Sequence, residues 1–157
     1  MIKAVALGLF VVSAASALAA ERPNARDSAL IQGCIKSAGG SETAERCIGK
    51  VSDPCLDKDS TRSTADMTAC VNREQAVWDD ILNETYRRLR AKLDAQQQEK
   101  LREMQRAWIA SRDRTCAFYW DYYQGTMATP MSASCTNREI ARRALFLLGF
   151  LEDTESK

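Results

Sequence analysis

Six cysteines are the residues most able to do chemistry in this chain of 157, which contains no histidine. Without imidazole there is no Ser-His-Asp or Cys-His catalytic group and no histidine-ligated metal. Cys34, Cys47, Cys55, Cys70, Cys116 and Cys135 lie eight or more residues apart, wider than the two to four of usual zinc-ligand pairs. An even count of such cysteines fits disulfides in an exported chain. Carboxylates that could work as an acid–base pair, such as Glu74, Asp80, Glu84 and Glu99, are assigned to solvated helix faces. No Gly-rich phosphate loop, Walker-type motif or nucleophile elbow occurs. The residues therefore point to a protein without catalysis, cofactor or metal.

Two further groups stand out. Gln105, Trp108 and Arg112 follow Leu101 at steps of four, three and four, so all four share a helix face, and Asn83 sits beside Leu82. Polar groups on such a stripe need partners, which predicts a network of Asp79 or Asn83 on one helix with Gln105 or Arg112 on another. The second group is Phe118, Tyr119, Trp120, Tyr122 and Tyr123, too dense for one helix face. Some of these rings must be exposed or packed under the following segment, and with Asp121 and Met127 they form a candidate partner-binding edge built on Tyr122 and Tyr123. Core packing of the same rings is the competing reading.

The elements that must position these groups are helical. From Met67 the apolar residues Cys70, Val71, Val77, Trp78, Ile81, Leu82, Tyr86, Leu89 and Leu93 keep helical period over roughly 28 residues, behind Ser63 and Asp66 at capping-box spacing. Asp94 and Gln97 open a second long helix with Leu101, Met104, Trp108, Ile109, Cys116, Tyr119 and Tyr123 on its stripe. Gly125 and Pro130 make 124–134 a loop, and Thr136 with Glu139 caps a last helix through Leu151. Upstream, Gly39-Gly40 divides two short helices, and 52–64 reads as a loop. The predicted fold is all-α: a long antiparallel helical hairpin, a C-terminal covering helix and a short N-terminal disulfide-stapled hairpin.

Six cysteines allow 15 pairings. Helical hairpins choose among them, because Cys34 and Cys47 flank the Gly-Gly turn, Cys55 and Cys70 bracket the loop into the first long helix, and Cys116 and Cys135 bracket the loop leaving the second. Pairing in sequence order is predicted.

Residues 1–19 carry Lys3, an apolar run and small residues through Ala17-Leu18-Ala19, the pattern of a secretory signal peptide. Residues 20–51 are then the stapled hairpin and 52–157 the main helical domain. Loss of Lys3 leaves 21 groups of each sign, which argues against nucleic acid as a partner, and no second apolar run suits a membrane anchor.

Leu82-Asn83-Glu84-Thr85-Tyr86, Leu101, Gln105-Arg106-Ala107-Trp108, Arg112-Asp113-Arg114-Thr115-Cys116, then Cys135-Thr136 and Arg142 resemble the exported bacterial family named for the lysozyme inhibitor LprI. The resemblance runs from about Cys55 to Leu148 and leaves 20–51 unmatched. It implies a small helical periplasmic or secreted domain, with lysozyme or a related peptidoglycan hydrolase as partner and inhibition as function. The lipobox of lipoprotein members is missing. A structural or scaffolding role in the cell envelope, without lysozyme affinity, is the alternative.

Overall fold

The computed structural model describes residues 23–156, so the leader at 1–19 lies outside the described residues. Helix α1, Ala25–Ala38, starts where the Asn24 side chain accepts from the Arg26 amide, and it ends at Gly39 with φ 83°. A Cβ is disfavoured in that left-handed conformation, hence the glycine. A 3-10 helix, Ser41–Cys47, turns back along α1. The segment assigned to a loop at 52–64 contains one short helix, α2, Ser52–Leu56.

Helix α3, Thr64–Lys92, begins with the reciprocal capping box of Ser63 and Asp66, and α4, Ala95–Tyr123, with that of Asp94 and Gln97. Only Leu93 and Asp94 separate them, so α4 folds back at once. Helix α5, Ala128–Glu155, covers the hairpin and packs closely on both partners, whereas α3 and α4 approach each other closely at few positions. Ala141 and Ala144, both fully buried, keep α5 slim where it meets Val77, Trp78 and Leu82 of α3.

The connection after α4 is shorter than the sequence suggests. It spans only Gln124, at φ 42°, to Met127, and α5 runs straight through Pro130 and Thr136. Pro130 is the third residue of α5, where an N–H has no partner within the helix, so its missing donor costs nothing. Thr136 caps nothing: its hydroxyl donates to the Ser132 carbonyl one turn back, at 3.0 Å.

All six cysteines are taken up in disulfides paired in chain order, Cys34–Cys47, Cys55–Cys70 and Cys116–Cys135. The N-terminal hairpin shares the main core through Ile31, Ala44, Cys47 and Val51. Asp27, nearly buried, accepts from Arg73 Nε and Nη2 at 3.1 and 2.8 Å, tying α1 to α3. Among the described residues no helix is long and apolar enough to cross a membrane.

Candidate partner-binding surface

The most buried charge among the described residues is Glu74, which the sequence pattern placed on a solvated face. Its position corrects that reading: Val71, Glu74, Val77 and Trp78 share one stripe of α3, so helical geometry aims the carboxylate inward, with no exposure left. Five donors meet it there. Oε1 accepts from the Gly49 amide at 2.8 Å, Asn137 Nδ2 at 3.0 Å and Trp78 Nε1 at 3.2 Å, and Oε2 from the Val51 and Ser52 amides at 2.9 and 2.8 Å. Gly49 makes the cradle possible, since its φ is 93° and a Cβ would fall 2.3 Å from the Asp53 carboxylate.

Burial pushes the Glu74 carboxyl up, but the donors from Ser52, Gly49, Asn137 and Val51 together outweigh it and hold the group below its ordinary value. An ionised carboxylate with every lone pair engaged and no solvent contact is a structural anion, unsuited to passing protons to a substrate. Glu74 therefore joins α3, α5 and the segment after the first disulfide, and leaves catalysis without a candidate there.

The polar stripe of α4 meets a different helix from the one expected. Asn83 Nδ2 donates to Asp79 Oδ2 at 3.1 Å along the exposed side of α3, away from Gln105 and Arg112. Gln105 instead accepts from Arg143 Nε of α5 at 2.8 Å, because α5 rather than α3 lies against this face. The Arg143 guanidinium sits 5.5 Å from the Trp108 ring centre and 5.1 Å from that of Phe146, and burial lowers its pKa. Arg112 stacks on Trp108 at 5.0 Å and donates to its neighbour Asp113, an exposed residue.

That placement changes the expected mutational effect. Arg112→Ala removes a stacked, partly solvated cation and should cost under about 1 kcal/mol by urea unfolding, well short of a broken buried network.

The far end of α4 is where the structure leaves large side chains in water. Phe118, Trp120 and Tyr122 are 61, 52 and 70% exposed, and Tyr123 and Met127 about two-fifths. Asp121 is exposed among them, so the four candidate partner-binding residues Asp121, Tyr122, Tyr123 and Met127 all lie at this end on the surface. The rings brace one another: Tyr122 meets Tyr123 edge-on at 5.1 Å, and Tyr119 stacks on Tyr123 at 5.9 Å. Behind them the buried Cys116–Cys135 bond fixes α4 to α5, and Ser132 Oγ donates to the Cys116 carbonyl at 3.0 Å. The edge is thus aromatic, open and mounted on a stapled helix pair.

No curated protein and no solved structure matches the chain. A family model does, the one described as lysozyme inhibitor LprI, over residues 55–147. Those residues run from the second disulfide through α3, α4 and most of α5, more than half of the chain, and the protein therefore belongs to the LprI lysozyme inhibitor family.

Proposed function

We propose that this chain is a non-catalytic, exported protein that binds a lysozyme or a related peptidoglycan hydrolase and blocks it. The observation that carries the reading is the aromatic edge at the end of α4. Tyr and Trp supply much contact area for little conformational freedom, and rings already held by neighbours lose less on binding. Asp121 adds negative charge suited to a basic enzyme, and Met127 adapts to an uneven cleft. Three disulfides support a periplasmic or secreted location, since thiols stay reduced in the cytosol.

Clearing of a bacterial cell-wall suspension by lysozyme tests the proposal. Purified chain should slow the loss of turbidity in proportion to its concentration. Replacing Tyr122, Tyr123 and Met127 together by Ala should weaken inhibition at least tenfold, about 1.4 kcal/mol, with the unfolding transition unchanged because these side chains are exposed. Full inhibition by the folded triple variant would move the contact elsewhere, and unslowed lysis by the wild type would leave a structural role in the envelope.

A further inference from the structure

A second apolar surface lies on the outer face of α5, far from the aromatic edge. Phe146 and Phe150 are 48 and 46% exposed and meet edge-to-face at 5.1 Å. Beside them runs a groove floored by Leu145 and Gly149 and walled by Ser41 and Glu45 of the 3-10 helix, with Arg142 and Asp153 at its two ends. Arg142, Phe146, Gly149, Phe150 and Asp153 follow at helical steps and so share one face.

We propose that this face joins two copies of the chain, with α5 running antiparallel to α5 about a two-fold axis level with Leu147 and Leu148. The pattern of residues is self-complementary in that register. Arg142 of each copy comes level with Asp153 of the other, so both ends of the contact carry opposite charges. Phe146 comes level with Gly149, where a Cβ would fall 3.1 Å from Ser41 Oγ of the same copy, and Phe150 with Leu145. The four phenylalanine rings then interleave along the axis.

Among the described residues no cation pairs with Asp153, while Arg142, about half exposed, is shared between Glu45 at 3.3 Å and Glu139 at 3.9 Å, surface pairs that it exchanges for Asp153 of the second copy. A second copy satisfies both ends of the contact at once. The patch is small, which fits a weak, concentration-dependent dimer. Phe146 stands 18 residues along α5 from Ala128, roughly 27 Å at the rise of an α-helix, so dimerisation leaves the aromatic edge of each copy open.

Sedimentation velocity on the purified chain, from about 1 μM to about 500 μM, tests this. The wild type should shift from monomer toward dimer as concentration rises. Arg142→Asp and Asp153→Arg, each placing like charges opposite one another, should raise the dimer dissociation constant at least tenfold while keeping the helical circular dichroism. The double variant Arg142→Asp/Asp153→Arg should restore dimerisation. A monomer throughout, an Arg142→Asp chain that dimerises like the wild type, or a double variant as weak as the singles would each overturn the proposal.

Discussion

Glu74→Gln lowers the unfolding free energy by about 3–5 kcal/mol, a large share of what a domain of this size possesses. The reason is that every group facing the carboxylate is a donor: three backbone amides, the Trp78 indole and the Asn137 amide. A glutamine keeps one acceptor oxygen, and its own NH2 then confronts either the Val51 and Ser52 amides or the three donors at Oε1. No rotation of the amide avoids this, and buried unpaired donors cost about 1–3 kcal/mol each. Urea unfolding near neutral pH measures the loss. The pH dependence supplies a second check. Because Glu74 titrates below its ordinary value in the folded protein, its contribution is complete above that ordinary value and is lost as the pH falls through the folded one. The stability gap between wild type and Glu74→Gln should therefore narrow in acid; a gap that stays constant down to about pH 2 would contradict an ionised Glu74.

Replacing Cys34 and Cys47 by Ala should cost about 3 kcal/mol, the chain-entropy value for a closed loop of this size. Cys47 has no exposure, so lost packing adds to the constraint removed from the unfolded chain. The bond also holds the strand of chain that follows it, and Gly49, only two residues on, presents the first amide to Glu74. The effects of the cysteine and Glu74 substitutions should therefore overlap. In a double-mutant cycle the combined loss should fall short of the sum of the separate losses by at least about 0.5 kcal/mol, whereas strict additivity would show that the hairpin and the carboxylate act independently.

Features whose cause is local were legible in the sequence. The capping boxes at Ser63 and Asp94, the turn at Gly39-Gly40 and the long stripes of α3 and α4 each depend on a few neighbouring residues. The disulfide pairs were legible for the same reason, since each closes over a single reversal of the chain. Crowding of five rings between positions 118 and 123 showed only that one helix face could not bury them all; that most are exposed rather than packed under the following segment is visible in the structure alone. Pro130 was misjudged because its position decides its effect: it breaks a helix interior but suits a first turn. Glu74 was misjudged because its charge was weighed above its place between Val71 and Trp78 on the stripe, which was the available signal. The partner of Gln105 was out of reach altogether. A stripe says that a face is covered, while the choice of α5 over α3 is made by packing across the whole molecule.

Nearest-neighbour disulfides also bear on how such a chain reaches its native state. When a polypeptide emerges from a membrane pore N-terminus first, its thiols become available one after another. Here the next cysteine to appear after Cys34 is its native partner, and the same holds for Cys55 and for Cys116. An oxidase that joins thiols in their order of arrival makes the native set directly, with no mispaired bond to be exchanged and no slow reshuffling by an isomerase. If the chain is exported as proposed, the first staple closes while α3 is still crossing, so that the Gly49–Ser52 amides are in place when Glu74 arrives.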